Sequence, residues 1–228
     1  MREDIYNPRN ISCCWYKNIC DKECTSSCNQ FTQLDYMLQL SNLPLNCQDI
    51  QFVNSDLMMP SMYEKLESIN EHIYDYVKKG INLYMHGQPG CGKTFWAMRF
   101  LKSYLSIIAP TNFYKCRGLF VFVPSLLRDL KLNITNPIKD IQEFINDIKN
   151  CDVVIWDDIF LMQETNFEAQ WLYSLIGERM LAKKANIVTS NVSLTELYKT
   201  NKRLHSRLQG ADVIELIGND LRSCDKLL

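Results

Sequence analysis

Short apolar runs alternate with stretches of helical periodicity from residue 81 onward. Four runs are each long enough for one buried strand: Ile81–Met85, Leu119–Val123, Val153–Trp156 and Asn186–Ser190. Strands that alternate with helices usually pair in parallel. The pattern therefore predicts an α/β domain in which helices flank a parallel sheet.

The intervening stretches predict the helices of this domain. One helix is expected from Thr94 to Ile107, and another from Asn136–Pro137, a typical helix start, to Asn150. A third precedes the last strand, and Ser193 with Glu196 after that strand has the spacing of a capping box. The apolar residues at helical spacing in the second and third helices are Ile138, Ile141, Phe144, Ile145, Ile148, Phe167, Trp171, Leu172, Leu175 and Ile176.

The first 50 residues differ from the rest of the chain. They contain six of its ten cysteines, and the stretch from Leu45 to Glu64 has no clear periodicity. We therefore predict a small cysteine-rich module over residues 1–50 and the α/β domain over 51–228.

Composition narrows the class of protein. Apolar residues make up 46% of the 228 residues, so a substantial core is expected. The longest mostly apolar stretch, Gly118–Leu127, contains Pro124 and is too short to span a bilayer, which takes roughly 20 residues. The N-terminus lacks the apolar region of a secretory signal, so we expect a cytoplasmic location with reduced thiols. Because the net charge is only −1, any contact with DNA must come from a local patch or an assembled oligomer.

One motif points directly to phosphate binding. Residues 87–94 fit the pattern G-x-x-x-x-G-K-[ST] and lie between a predicted strand and a predicted helix. In such a loop, backbone N–H groups face the phosphates, Lys93 neutralises the β- and γ-oxygens, and the Thr94 hydroxyl ligates Mg²⁺. A glycine-rich turn with a solvated lysine is the alternative. The predicted nucleotide-binding residues are Gly87, Gln88, Pro89, Gly90, Cys91, Gly92, Lys93 and Thr94.

Polar residues follow two later strands at the edge where ligands gather in parallel sheets. We expect Asp157 to hold Mg²⁺ and Asp158 to orient or polarise the attacking water. Asn191, after the next strand, is expected near the γ-phosphate or that water. The alternatives are a helix cap with a solvated carboxylate for the pair and an ordinary turn residue for Asn191.

With these elements in order, residues 82–222 resemble the DnaC/DnaI/IstB group of AAA+ ATPases. Segments 171–180, 187–191, 206–208 and 218–222 are similar to the family helix before sensor I, sensor I itself, the arginine-finger segment and the closing motif. The resemblance implies that Arg207 acts on the ATP of a neighbouring subunit and that Arg222 stands near the sensor II position. It also implies an ATP-bound oligomer that holds single-stranded DNA and delivers a replicative helicase gripped by the N-terminal region. Asp158 departs from the Glu of many AAA+ proteins, which leaves the hydrolysis rate open.

Other functions share these motifs. A transposition ATPase of the IstB kind would carry the same core, and a nucleotide-gated adaptor would bind ATP with little hydrolysis. A small-molecule P-loop kinase would share the phosphate loop but would need neither Asn191 nor Arg207.

The cysteine cluster predicts a metal site. Cys20, Cys24 and Cys28 are spaced by four, and Cys14 or Cys13 would complete a four-thiolate set suited to Zn²⁺, with an iron–sulfur cluster as the alternative metal group. Reduced thiols packed as small apolar side chains are the structural alternative.

Basic residues offer candidate phosphate contacts to DNA. These are Arg128 and Lys131 after the second strand and Lys183 and Lys184 before the fourth. Solvated surface charge is the alternative.

Overall fold

A computed structural model of the chain describes residues 28–44, 58–111, 115–135, 139–159, 166–218 and 220. Its centre is a five-stranded, all-parallel sheet with the order β2-β3-β4-β1-β5. The strands are β1 (Leu83–Gly87), β2 (Gly118–Phe122), β3 (Val153–Asp157), β4 (Ala185–Ser190) and β5 (Asp212–Leu216). This arrangement confirms the predicted fold class.

Nine α-helices lie in the described part of the chain. They are α1 (Asn29–Leu40), α2 (Pro60–Glu71), α3 (Ile73–Lys78), α4 (Lys93–Ile108), α5 (Val123–Thr135), α6 (Lys139–Asn150), α7 (Asn166–Leu181), α8 (Leu194–Thr200) and α9 (Lys202–Leu208). A short 3₁₀ turn, Ala109–Thr111, continues α4. None of the described helices combines the length and the apolar character that a membrane crossing requires.

The sheet separates two apolar clusters. One includes side chains of α1–α4, such as Leu66, Trp96 and Phe100, and the other includes side chains of α5–α9, such as Leu172 and Leu204. Because successive residues of a strand point to opposite faces, the inner strands supply both clusters, and β3 and β4 are buried along their length. The carboxyl ends of all five strands consequently meet at one edge.

The helix α1 is part of this packing although it lies within residues 1–50. Leu34, Met37 and Leu38 are buried in the same cluster as α4. The backbone N–H of Phe120 in β2 donates to the Ser41 carbonyl at 2.8 Å. Residues 28–44 therefore pack onto the sheet domain. The boundary near residue 50 stays a prediction, because residues 45–57 lie outside the described part.

A buried arginine ties the opposite edge of the sheet together. Arg179 of α7 is 1% exposed and donates to the carbonyls of Cys151 at 2.9 Å and Ala185 at 2.7 Å. It also donates to Asn186 Oδ1 at 2.9 Å, and burial lowers the pKa of its guanidinium. These acceptors lie where β3 and β4 begin, so one side chain joins α7 to both strands.

Most predicted elements are confirmed within two residues, but six observed elements were not predicted, namely α1, α2, α3, α5, α9 and β5. The helix α5 starts directly after β2, and the strand β5 adds an edge to the sheet. The capping box is confirmed, since the Ser193 hydroxyl accepts from the Glu196 N–H while the Glu196 carboxylate accepts from the Ser193 N–H. The predicted helix start at Asn136–Pro137 lies outside the described residues.

Candidate nucleotide-binding site

The loop between β1 and α4 encloses its lysine. Lys93 is the first residue of α4 and is 8% exposed. Its Nζ donates to the carbonyls of Gly87 at 2.9 Å and Gln88 at 2.8 Å, and it lies 3.7 Å from Cys91 Sγ. The loop therefore curls around the ammonium group, while Gln88 and Pro89 stay exposed at its tip.

Like Gly87 at the end of β1, whose φ is 147°, two glycines of the loop have conformations that other residues rarely adopt. Gly92 precedes α4 with φ of 93°, and Gly90 has φ of 82°. A Cβ built on Gly90 would also overlap the carboxylate of Asp220, which lies against this part of the loop. Both positions therefore require glycine in this structure.

Thr94 and Asp157 meet beside the loop. The Thr94 hydroxyl donates to Asp157 Oδ1 at 2.8 Å, so the second residue of α4 touches the end of β3. Thr189 of β4 donates to the same carboxylate oxygen at 2.7 Å and accepts from the Asp158 N–H at 2.9 Å. Hydroxyl groups from α4 and β4 therefore fix the Asp157 carboxylate at the end of β3.

The environment of Asp157 disfavours its charge. The residue is 5% exposed, and burial raises the pKa of its carboxyl above the ordinary value, while hydrogen bonds from Thr189 and Thr94 oppose that shift. The nearby Asp158 carboxylate raises the pKa further, and Lys93 lowers it. A divalent cation at this point would relieve the burial of negative charge, and hydroxyl and carboxylate oxygens are the ligands that Mg²⁺ takes. The residues present therefore fit that ion.

Asp158 and Asn191 lie together next to this carboxylate. Asp158 has a left-handed φ of 56°, which turns the chain sharply after β3. Asn191 Nδ2 lies 3.4 Å from Asp158 Oδ1, and the residue follows the end of β4. The structure thus brings Lys93, Thr94, Asp157, Asp158 and Asn191 to one edge of the sheet.

Of the two predicted arginines, the structure describes Arg207. Arg207 is exposed near the end of α9, and its side chain lies against Gly177 of α7. Arg222 lies outside the described residues.

Among the predicted cysteine ligands, only Cys28 is described. It is the N-cap residue of α1 and a free, half-buried thiol. Cys14, Cys20 and Cys24 lie outside the described residues. Within the part of the chain that the structure covers, no three metal-binding side chains come together.

The basic candidates for DNA contact differ in their surroundings. Lys184 Nζ is 3.2 Å from Asp152 Oδ1 and donates to the Asn150 carbonyl at 3.0 Å, so it serves the sheet edge opposite the phosphate loop. Arg128 is exposed and lies 3.2 Å from its neighbour Asp129. Lys131 is exposed on α5 and Lys183 in the turn before β4.

Sequence reasoning missed the contribution of Thr189. Its hydroxyl joins both carboxylate residues, yet in the sequence it reads as one more β-branched residue of a buried strand. The available signal was its place two residues before Asn191, which on a strand puts both on one face of the sheet.

A parallel sheet in the order β2-β3-β4-β1-β5, with the phosphate loop after its β1 and an acidic pair after its β3, defines the class of AAA+ P-loop proteins. The chain belongs to the family of the bacterial DnaA ATPase domain, whose sequence model matches residues 62–215.

One curated relative is similar over part of the chain. The chain is 26% identical over 149 residues to the replicative helicase loader DnaI of Bacillus subtilis (strain 168). That match covers 64% of this chain and 45% of the relative, so the chain spans less than half of the curated protein that it matches.

Solved structures share the fold. A crystal structure of the DnaC helicase loader superposes with a TM-score of 0.60 at 19% identity, covering 75% of this chain and 96% of that one. DnaA from Aquifex aeolicus, bound to AMPPCP, superposes with a TM-score of 0.53 at 19% identity, covering 77% and 51% of the two chains.

Proposed function

We propose that this protein binds and hydrolyses ATP with Mg²⁺ and, as an oligomer on single-stranded DNA, delivers a replicative helicase. The observation that carries the nucleotide part is the contact between Thr94 and Asp157, which closes the phosphate loop onto the acidic strand end. The same constellation on an AAA+ fold supports hydrolysis as well as binding.

Each residue of the site has a role in this proposal. Lys93 exchanges two backbone carbonyls for phosphate oxygens, so its charge is used without moving the helix that carries it. Thr94 and Asp157 would hold the cation, which would neutralise negative charge on the phosphates. Asp158 accepts a hydrogen bond from the attacking water, and Asn191, 3.4 Å away, orients that water or the γ-phosphate.

Hydrolysis also calls for positive charge near the γ-phosphate beyond that of Lys93. Arg207 is exposed on α9, where a neighbouring subunit can reach it. We assign it to the ATP of that neighbour and assign Arg222 to the bound nucleotide of its own chain. The proposed oligomer follows from this sharing of one site by two subunits.

The delivery role rests on the relatives. The DnaI protein of Bacillus subtilis is named a replicative helicase loader, and the superposed DnaC structure bears the same description. We assign the grip on the helicase to residues 1–50 and the contact with single-stranded DNA to the assembled ATPase domains.

Capture of partners tests the proposal. The intact protein is immobilised with ATP, and bound proteins are identified by mass spectrometry, with Lys93→Ala, which should bind ATP weakly, as the matched control. We expect a replicative helicase on the wild-type protein and less of it on the variant. A transposase in its place would favour the transposition ATPase, and absence of any helicase would contradict delivery.

Turnover separates the enzyme from an adaptor. Steady-state ATP hydrolysis is measured with and without single-stranded DNA. We expect ATP hydrolysis at a rate that increases with single-stranded DNA and with formation of the oligomer. Tight ATP binding without turnover under both conditions would identify a nucleotide-gated adaptor and contradict the proposed hydrolysis.

A further inference from the structure

Helix α9 lies against α7. Two residues of α9 that are one helical turn apart contact two residues of α7 that are also one turn apart. Leu204 and Leu208 of α9 are buried, whereas Arg203 and Arg207 lie on its exposed side. Arg203 contacts Tyr173 of α7, and Arg207 contacts Gly177 of the same helix. Because residues four apart lie on the same side of a helix, the two contacts are successive rungs between α9 and α7.

The first rung is a cation on an aromatic ring. The guanidinium carbon of Arg203 lies 5.5 Å from the centroid of the Tyr173 ring, and Nη1 of Arg203 donates to the Tyr173 hydroxyl at 3.0 Å. A guanidinium over a ring within about 6 Å is attracted by the ring face. This rung fixes the start of α9 along the length of α7.

The second rung depends on the absence of a side chain. A Cβ placed on Gly177 would lie 3.1 Å from Nε of Arg207, 3.5 Å from its Cζ and 3.6 Å from its Cδ. The first of these separations is tighter than ordinary packing, so any larger residue would displace the arginine. Gly177 lies within α7, where alanine would favour the helix more. The close approach of Arg207 explains why a glycine, and not a better helix former, occupies position 177.

From these two rungs we propose that Tyr173 and Gly177 form a seat on α7 that sets the direction in which Arg207 is presented to the neighbouring subunit. The seat rests on the proposed action of Arg207 in trans. The helix α7 leads directly into β4, which carries Thr189 and is followed by Asn191. The seat therefore holds the arginine on the same rigid unit that completes the chain's own nucleotide site, and Gly177 and Tyr173 act as positioning residues.

A mixing experiment tests the seat, because it can be damaged in either of two subunits. The parent mixture contains subunits with Arg207→Ala, which keep their own phosphate loop, and subunits with Lys93→Ala, which keep Arg207. In this mixture every productive junction takes its arginine from a Lys93→Ala subunit. Gly177→Leu is then added to one kind of subunit or to the other, and the rate of ATP hydrolysis is measured.

We expect opposite results from the two additions. In the Lys93→Ala subunit, Gly177→Leu should lower the rate of the mixture by about ten-fold or more, part of the roughly 10³ to 10⁵ that an arginine supplied in trans can contribute. In the Arg207→Ala subunit it should leave the rate unchanged, since that subunit presents no arginine. Gly177→Ala should give an intermediate loss, while its unfolding temperature stays equal to or above that of the parent, because alanine favours the helix.

Gly210→Leu is the matched control, because a Cβ at Gly210 meets no atom within 4 Å. It should change neither mixture. An unchanged rate with Gly177→Leu in the Lys93→Ala subunit would refute the seat, and so would an equal loss in both subunits, since a general defect of folding acts wherever the substitution is placed. An inactive parent mixture would contradict the proposed action of Arg207 in trans, and with it the proposed role of the seat.

Discussion

At the scale of single residues, the lysine of the phosphate loop is already held by its own backbone. The ammonium group of Lys93 contacts the carbonyls of Gly87 and Gln88, so it points into the loop before any phosphate arrives. Binding then requires an exchange of hydrogen-bond partners instead of a search through side-chain rotamers. This pre-arrangement reduces the side-chain entropy that is lost when the phosphate binds.

Removal of that charge gives the first prediction. Lys93→Ala should weaken ATP binding by about 100-fold or more, because at least two charge-assisted hydrogen bonds of roughly 1.5–3 kcal/mol each are lost. Binding is measured by titration with a fluorescent ATP analogue, and folding by circular dichroism. Lys79→Ala, at an exposed lysine after α3, is the control and should bind normally. Undiminished ATP turnover in folded Lys93→Ala would overturn the assignment of the loop.

The two aspartates should respond differently to neutralisation. Asp158→Asn should keep ATP binding and lose most hydrolysis, because the amide cannot polarise water as a carboxylate can. Asp157→Asn should weaken the response of ATP binding to Mg²⁺. If Asp157→Asn alone reduced turnover, the roles assigned within the pair would be wrong.

The raised pKa of Asp157 gives this pair a dependence on pH. The carboxyl favours its protonated form in the fold, so its contribution to stability is complete below the unfolded-state pKa and is lost as pH rises through the folded-state pKa. Asp157→Asn should therefore raise the unfolding temperature of the metal-free protein at neutral pH and change it least in acid. Thermal unfolding with a chelator across pH checks this, and a variant that is less stable at neutral pH would contradict it.

At the scale of elements, the site depends on contacts between neighbouring strands. Thr189 of β4 holds Asp157 at the end of β3, so the register of the two strands sets the position of the proposed metal ligand. Thr189→Val keeps the side-chain shape and removes the hydroxyl. It should lower the free energy of unfolding by about 1–3 kcal/mol, the cost of a buried group without its partner, and reduce hydrolysis.

Denaturant unfolding and ATP turnover check this prediction. Thr189→Ser, which retains the hydroxyl, is the matched control and should keep most of the activity. Full activity in Thr189→Val would show that the strand register alone places Asp157.

The cysteine-rich segment yields a prediction on metal content. Purified protein should contain about one equivalent of Zn²⁺, since a four-thiolate site holds one ion. Cys24→Ser should release the metal and impair capture of the helicase more than ATP binding. Elemental analysis measures the content, with Cys116→Ser in the ATPase domain as control. Metal-free wild-type protein that still captures its partner would end the zinc hypothesis, and iron in place of zinc would favour the iron–sulfur alternative.

Sequence reasoning succeeded where a single pattern determines an element. The loop and the buried strands were predicted because an unbroken motif and unbroken apolar runs mark them. The strand β5 was missed because it lies at a sheet edge, where Asp212 and Glu215 are exposed and interrupt the apolar pattern. Helix α5 was missed because Pro124, which suits the first turn of a helix, was read as an interruption of the apolar stretch.

Contacts between elements could not be predicted in the same way. The cysteines of the first 50 residues suggested a separate module, but α1 has apolar residues on one face that pack into the core. The approach of Arg207 to Gly177 joins residues 30 positions apart through the packing of two helices, which no local pattern encodes. The motif therefore predicts which side chains bind the phosphates, whereas the packing of helices determines where Arg207 lies.

At the scale of the whole molecule, the proposed catalytic unit is larger than one chain. Arg207 is exposed on α9, and in the proposed mechanism it completes the nucleotide site of a neighbouring subunit. Arg207→Ala should lose hydrolysis by roughly 10³-fold or more, and mixing it with Lys93→Ala subunits should restore part of that activity. A surface arginine that only forms an ion pair would cost at most about 1 kcal/mol of stability and would show no rescue.

Rates of ATP hydrolysis by the separate variants and by their mixture, with single-stranded DNA and partner present, check this prediction. Mixing each variant with wild-type protein controls for dilution of the assembly. Normal hydrolysis by Arg207→Ala alone would dismiss both the assignment and the oligomeric mechanism.

The order of the strands also governs how the molecule is made. The strand that leads into the phosphate loop, β1, pairs with β4 and β5. Residue 83 therefore pairs with residues 187 and 212, which come more than 100 positions later in the sequence. During synthesis, β2 and β3 can pair first, while β1 remains an apolar segment without a hydrogen-bonding partner. Closing such distant pairs is slow compared with local folding. We therefore expect the nucleotide site to assemble late in folding, although its motif precedes most of the domain in the sequence.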